Sequence, residues 1–358
     1  MFKFLFFPSV PYHANTFFPV IKSLTACQSK IIYSDHLKSY NKTNNNKSQI
    51  QSLAKKNNIE CLPYHPSILK KERPDALIVM CDWGGWPKRM VQDAKTMQIP
   101  TVGHVEGAQD YLDTHIEDGY KTKIRKPYSK VDYVFCLGKF DTQFFRDKKT
   151  LLTGSPRFDD FINLKKNIKT KYDIAINCNF SYGLYSDKAE SWINDVVSVA
   201  ESLKLNYNIS QHIGDTTNLS NYNTYDKSIY DLIRGSEILV SRFSTVIIES
   251  MLIGKPVIYY NPHQEKQPTF LNSLGSFPSP KTREDLKSSI LEVKNNPNKW
   301  IEKFKFFLSE HVSNYKGDSS KVFAKELKKI AKLKSKQKDK FLYKSTIRYC
   351  VDMLSNKL

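Results

Sequence analysis

Four short stretches combine residue types that can do chemistry. In GHVEGAQD (103–110), His104, Glu106 and Asp110 lie close together between and just after two glycines. In a strand, positions 104 and 106 share a face. Both could therefore enter one cleft, with Glu106 as general base or acid and His104 and Asp110 beside it. His-x-Glu also begins some metal motifs, but no CxxC or second His at zinc spacing completes one. No metal is expected. SRFSTVIIESMLIGKP (241–256) reads as a strand end running into a helix. Ser244 and Thr245 would open that helix, where free backbone N–H groups attract phosphate. Arg242 adds a charge just before it. Glu249 lies one turn up, nearly on the face of Thr245, and is placed for a ribose hydroxyl pair. A plain capped core helix would account for Ser244 but not for the Arg, Thr and Glu around it. NCNFSYG (177–183) offers Asn179, Ser181 and Gly183 beyond another strand, and QHIGD (211–215) offers His212.

The remaining candidates lie near the start of the chain. PSVPYHANTFFPVIKSL places His13 and Asn15 between a strand and a helix expected from Thr16. CDWGGWP sets Asp82 at the end of an apolar strand, followed by two glycines and two tryptophans whose faces suit a sugar or a base.

The elements that must position these residues alternate along the whole chain. Apolar runs such as KFLFF, DALIVM and EILVS read as strands, separated by helical stretches such as 87–98, 186–204 and 244–254. Continuous apolar strands alternating with helices imply parallel sheets covered on both faces. Two such sets predict an α/β protein of two doubly wound, Rossmann-like domains facing a cleft, at 1–160 and 161–320, with a basic helical tail at 321–358. In such sheets ligands sit beyond the carboxyl ends of the strands, which is where the candidates fall.

The 358 residues carry a net charge of +19, and residues 320–358 hold 12 Lys+Arg against 3 Asp+Glu. In the tail, Phe323, Leu327 and Ile330 form one apolar stripe among lysines, and Ile347, Cys350 and Leu354 repeat it. This pattern predicts docking on an anionic membrane surface, the distal half above all. The alternative is a final helix crossing back to the first domain. Nucleic acid is excluded as a partner, because the basic residues lack interleaved aromatic platforms. Mean hydropathy is −0.50, and no apolar run approaches the ~18 residues of a membrane span. Two prolines break the apolar start, so it reads as a buried strand and not as a signal peptide. The six cysteines are scattered and suggest neither disulfides nor zinc.

Taken together, these segments resemble the GT-B glycosyltransferase superfamily over nearly the whole chain up to about residue 320. SRFSTVIIESMLIGKPVIYYN is similar to that superfamily's nucleotide-sugar loop and helix. The resemblance implies phosphate contacts at Ser244 and Thr245 and a ribose contact at Glu249. TGSPRFDDF (153–161) is similar to the segment closing the first domain in bacterial surface-polysaccharide transferases. GHVEGAQD resembles the HVEAG segment of UDP-N-acetylglucosamine 2-epimerases. Ile213 stands where the His-Pro motif of sialyl- and Kdo-type transferases would have proline, and no glycine-rich GGxGG loop follows the first strand. The resemblance implies a cytoplasmic transferase, peripheral on the inner membrane face and independent of metal or other cofactors. Its donor would be a CMP- or UDP-linked sugar, with a lean to CMP. Its acceptor would be a lipopolysaccharide or capsule glycan. On this reading His13, Asn15 and Asp82 lie on the acceptor side, and Arg242, His212, Asn179, Ser181 and Gly183 on the donor side. The alternatives are a nucleotide-sugar epimerase and a non-catalytic polyanion-binding protein.

Overall fold

The computed structural model describes residues 1–34, 46–82, 85–105, 107–109, 111, 127–164, 169–180, 185–212 and 214–334. Seven strands form the first sheet: β1 (Lys3–Phe7), β2 (Gln28–Tyr33), β3 (Cys61–Pro63), β4 (Ala76–Val79), β5 (Thr101–His104), β6 (Tyr133–Cys136) and β7 (Lys149–Leu152). Their order is β3-β2-β1-β4-β5-β6-β7. The second sheet holds β8 (Tyr172–Cys178), β9 (Tyr207–Gln211), β10 (Ser236–Ser241) and β11 (Val257–Tyr259), in the order β11-β10-β8-β9. All pairings among the described strands are parallel. The fold is the expected one: two doubly wound parallel sheets of the GT-B kind.

The sequence explains this choice. β4 is ALIV with all four side chains buried, a composition that only a sheet covered on both faces can use. Each sheet has a switch point where strand order reverses, at β1/β4 in the first and β8/β10 in the second. Ligand crevices in such sheets open there. The segments beyond those strands carry Ser9–His13 and Met80–Asp82 on one side, and Asn179 and Arg242 on the other.

The first helix begins earlier than the expected Thr16. It spans Pro11–Ser23, with Pro11 in the first turn and no side-chain cap, a position proline favours because the missing N–H would be unpaired anyway. His13 and Asn15 therefore sit within the helix and not in a loop before it. Thr16 turns its hydroxyl back to the Tyr12 carbonyl at 3.1 Å.

The last described helix, 319–334, settles the fate of the apolar stripe. Phe323 and Leu327 are fully buried and Ile330 is 2% exposed, all against the first sheet. Phe323 lies edge-on to Phe135 at 4.6 Å and to His104 at 5.1 Å. The Asp159 carboxylate accepts the N–H groups of Ser319 and Ser320 at 2.8 Å each, closing the helix start. The stripe expected to meet lipid is thus spent on the first domain, as the alternative reading had it. The distal half, 335–358, lies outside the described residues. Burying three large apolar side chains contributes several kcal/mol at about 2 kcal/mol each, so this helix is an integral part of the first domain.

Candidate functional site

The loop after β5 and the helix after β10 meet directly. A Cβ placed on Gly107 would lie 2.4 Å from Thr245 Oγ1 and 2.7 Å from its Cγ2, so only glycine permits the approach. The next residue, Ala108, donates its N–H to Thr245 Oγ1 at 3.1 Å. Gly107 and Ala108 of the first segment therefore touch Thr245 of the second. Glu106 and Asp110, the central candidates of the first segment, lie outside the described residues, as do Ser181 and Gly183 of the second domain. Val105 and Gly107, which flank Glu106, are both buried.

The helix spans Val246–Ile253 and ends at Gly254 with φ 87°, as its sequence predicts. Ser244 Oγ accepts the Val246 N–H at 3.3 Å, and the Ser244 carbonyl accepts from Ile247 at 3.1 Å. Thr245 makes no side-chain cap bond, because its hydroxyl oxygen serves Ala108. The two hydroxyls thus divide the work: one caps the helix, the other couples the sheets.

Arg242 is not a free charge for a phosphate. It is 3% exposed, and its Nε and Nη2 grip the two oxygens of Glu265 at 2.6 and 2.7 Å. Its Nη1 donates to the Asn179 carbonyl. Phe180 and Tyr185 stack against the guanidinium at 4.6 and 5.1 Å from the ring centres. Glu265 is braced by Asn261, which accepts its N–H at 2.9 Å and donates to its carbonyl at 3.1 Å. Asn179 Nδ2 donates to the Phe243 carbonyl at 3.0 Å. Arg242 and Asn179 therefore hold the β8 and β10 crevice in shape. Glu265, which anchors the arrangement, is a residue the sequence reading missed.

Glu249 is 1% exposed and pairs with Arg157 at 2.7 Å. Arg157 comes from the TGSPRFDD segment that leaves the first sheet, so this ion pair ties that segment to the Val246–Ile253 helix. Any ribose contact at Glu249 would share the carboxylate with Arg157, a second residue that sequence reasoning missed.

His212 stands just beyond β9 and accepts the Gly214 N–H on Nδ1 at 3.0 Å. Its neutral ring therefore carries the proton on Nε2. Burial lowers its titration below the ordinary value, with Asp215 pulling the other way. Burial alone would raise Asp215, but bonds from Thr217 and the Phe180 N–H outweigh it and hold the carboxyl below its usual range. The pair is then a neutral imidazole beside an ionised carboxylate, with an N–H on the imidazole suited to a phosphate oxygen.

On the first-domain side, two candidates have other tasks. The His104 ring is fully buried against Phe323, and its Nδ1 meets the Phe135 carbonyl at 3.3 Å. The strand alternation that was to share a face with Glu106 turns this ring into the core. Asp82 is fully buried. Its oxygens accept the N–H groups of Tyr128, Lys130 and Val131 at 2.7, 2.6 and 3.2 Å. Burial raises its titration, and those backbone bonds oppose the rise. It anchors the 127–131 segment and offers nothing to an acceptor. His13 is buried, with Nδ1 accepting the Ser9 N–H at 3.1 Å, while Asn15 is exposed on the helix surface.

The site loop has a second anchor. The Tyr111 hydroxyl donates to Asp141 Oδ1 at 2.8 Å, and the Gly138 N–H to Oδ2 at 2.9 Å. Burial pushes Asp141 up to about 6, against the pull of those bonds. Tyr111 also stacks on Phe144 at 4.3 Å. The loop after β5 is thus pinned to the first sheet by Tyr111 and to the second by Ala108.

Residues 200–328 match the family model of the CDP-glycerol:poly(glycerophosphate) glycerophosphotransferases. That stretch contains His212, Arg242, Ser244, Thr245, Glu249 and Glu265. The teichoic acid poly(glycerol phosphate) polymerase of Bacillus spizizenii is 27% identical over 292 residues, covering 68% of each chain. The UDP-GlcNAc 2-epimerase of Neisseria meningitidis superposes with a TM-score of 0.63 at 14% identity, over 91% of this chain and 100% of its own. The wall teichoic acid polymerase TagF, soaked with CDPG, superposes with 0.58 at 13% identity, over 92% and 88%. These structures share the fold with this chain.

Proposed function

We propose that this chain is a transferase of cell-surface polymer synthesis. It moves a glycerol-phosphate or related group from a cytidine-diphosphate-linked donor to a hydroxyl of a surface glycan or polyol-phosphate acceptor. The observation that carries this reading is the coincidence of the glycerophosphotransferase match with the second-domain crevice, whose helix start touches the Glu106 loop. The acceptor oxygen attacks the outer phosphorus of the donor and a new P–O bond forms. The bond to the inner phosphate breaks, and CMP leaves with the electron pair. Glu106 takes the acceptor proton. The helix N–H groups, the Ser244 and Thr245 hydroxyls and the His212 Nε2–H meet the phosphates, where fixed donors stabilise growing charge. This reading retains the lean toward a CMP leaving group, and it replaces the expected sugar transfer with phosphoryl transfer.

The test is nucleotide release, CMP from CDP-glycerol or CMP-sugars and UDP from UDP-sugars, with and without a surface-glycan acceptor. Glu106→Gln is expected to keep donor binding and lower turnover by ~10²–10⁴. Turnover near wild type in that variant removes Glu106 from the mechanism. An epimerised UDP-N-acetylhexosamine, formed without transfer, would point instead to the epimerases that share the fold.

Peripheral attachment to an anionic membrane surface rests on a different part of the first domain. Among the described residues no helix is long and apolar enough to cross a membrane. The 319–334 helix and the end of Pro11–Ser23 enclose an open groove of about 690 Å³ that includes Lys22, Lys321, Lys325, Lys328, Lys329 and Lys332. Each basic residue at an anionic surface contributes about 1 kcal/mol. Lys321→Glu, Lys325→Glu and Lys328→Glu together are expected to abolish flotation with phosphatidylglycerol vesicles and leave the melting temperature nearly unchanged. Undiminished flotation would exclude this surface.

A further inference from the structure

Four large apolar side chains of the second domain face solvent along one packed seam. Leu271 is 66% exposed, Phe306 52%, Leu274 38% and Ile301 36%. Leu271 and Leu274 follow the short turn Pro268–Phe270, Ile301 ends the helix Pro297–Ile301, and Phe306 lies in the helix Phe304–His311. These pieces of chain are joined at two points. Phe270 and Phe307 stack with ring centres 6.1 Å apart and planes at 7°, and the Ser276 hydroxyl donates to the Lys303 carbonyl at 2.7 Å. Phe270 and Phe307 are buried. Their chain neighbours Leu271 and Phe306 therefore stand outward beside the seam, about 100° round from the buried ring in the case of the helix.

Folding does not account for these choices. Leu274 has φ 49°, a left-handed conformation that costs a leucine strain and that glycine or asparagine adopts cheaply, and the side chain placed there stays in water. The turn is nevertheless well built. Asn272 Oδ1 accepts the Leu274 N–H at 2.9 Å, and Ser273 Oγ accepts the Gly275 N–H at 3.2 Å, so two leucines are displayed on a preformed tip. The surroundings are basic. Residues 266–281 hold two Lys and no Asp or Glu, and residues 297–309 hold three Lys and one Glu. The Lys305 ammonium lies 5.3 Å from the centre of the Phe306 ring. Those of Lys299 and Lys303 lie 5.3 and 5.6 Å from the Trp300 ring, and Lys299 also pairs with Glu292 at 2.6 Å.

We propose that this surface is an insertion patch for an anionic phospholipid membrane, with Leu271, Leu274 and Phe306 entering the interface and the lysines meeting the headgroups. The inference rests on the peripheral-membrane reading above and adds to it an apolar contact on the second domain. Apolar tips seat at the boundary between headgroups and acyl chains, and lysine stems lie along them while their ammonium groups reach back to the phosphates. The lysines alone would suit any polyanion, but the leucines and Phe306 need an apolar phase. A second copy of the chain is the poorer occupant, because a two-fold contact sets the same patch against itself and opposes lysine to lysine. The preformed turn keeps the ordering cost of insertion small.

The test uses the full chain and vesicles of phosphatidylglycerol mixed with phosphatidylcholine brominated in its acyl chains. Leu271→Ser together with Phe306→Ser is expected to lower the vesicle partition coefficient at least 10-fold and to leave the melting temperature unchanged, since both side chains are exposed. In a separate variant, Phe306→Trp, partition stays at the wild-type value and the added indole is quenched by the bromine atoms beyond the quenching seen in the wild type. Wild-type flotation with an unaltered partition coefficient in the double variant, or an unquenched indole at position 306, overturns this patch and leaves the first-domain surface standing. Absence of flotation by the wild type rejects both. A dimer in sedimentation velocity that the double variant dissolves, with its vesicle partition unchanged, assigns the patch to a second copy and equally overturns the proposal.

Discussion

Replacing Arg242 with alanine is expected to cost about 3–5 kcal/mol of stability, because it leaves a buried carboxylate without its counter-charge. Both oxygens of Glu265 are held by this one guanidinium, and its backbone is fixed by Asn261. The same change frees the Asn179 carbonyl and removes the group on which Phe180 and Tyr185 stack. The crevice between β8 and β10 would lose its shape, and nucleotide binding with it. Arg242→Lys is not expected to restore either property, since an ammonium cannot span two carboxylate oxygens and a carbonyl in one plane. Denaturant melts check the first part and calorimetry with CMP the second. The double variant Arg242→Ala, Glu265→Ala should lose less than the sum of the two single changes. A melting midpoint within the error of wild type would refute this account of the pair.

The second large effect is at Gly107. An alanine Cβ there would lie 2.4 Å from Thr245 Oγ1, so the loop must withdraw from the helix start. Each sheet keeps its own core, and the melting temperature should change little. Turnover should fall by ~10²-fold, the scale of a 1 Å misplacement between reacting groups, because the segment carrying Glu106 no longer rests on Thr245. Wild-type turnover in Gly107→Ala would mean that this contact does not position the chemistry.

The fold was legible because its signal is local and repeated. The central strands β1 and β4 are apolar runs of period-free burial, and helix ends carry punctuation such as Gly254 after Ile253. Ser244 and Thr245 were legible for the same reason: a strand end running into a helix is written in consecutive residues. His104 and Asp82 were misread because residue type does not say which way a strand-end side chain turns. A shift of one position exchanges core and cleft. The Pro11 start was present in the sequence, but the polar cluster His13–Thr16 drew the boundary too late. Glu265, Arg157, Tyr111 and Asp141 were invisible because their partners are remote in sequence. A buried Arg242 does imply a carboxylate, yet nothing in the chain says which one.

The placement of the 319–334 helix has a consequence for how the protein is made. The face of the first sheet that holds Phe135 and His104 is completed by Phe323, Leu327 and Ile330. Those residues are synthesised only after the entire second sheet. At about 5–20 residues per second, the first domain waits on the order of 10–30 seconds with an apolar face open, while the second domain can already close. The amino-terminal half of the chain is therefore the later to mature, and the natural order of domain folding during translation is reversed.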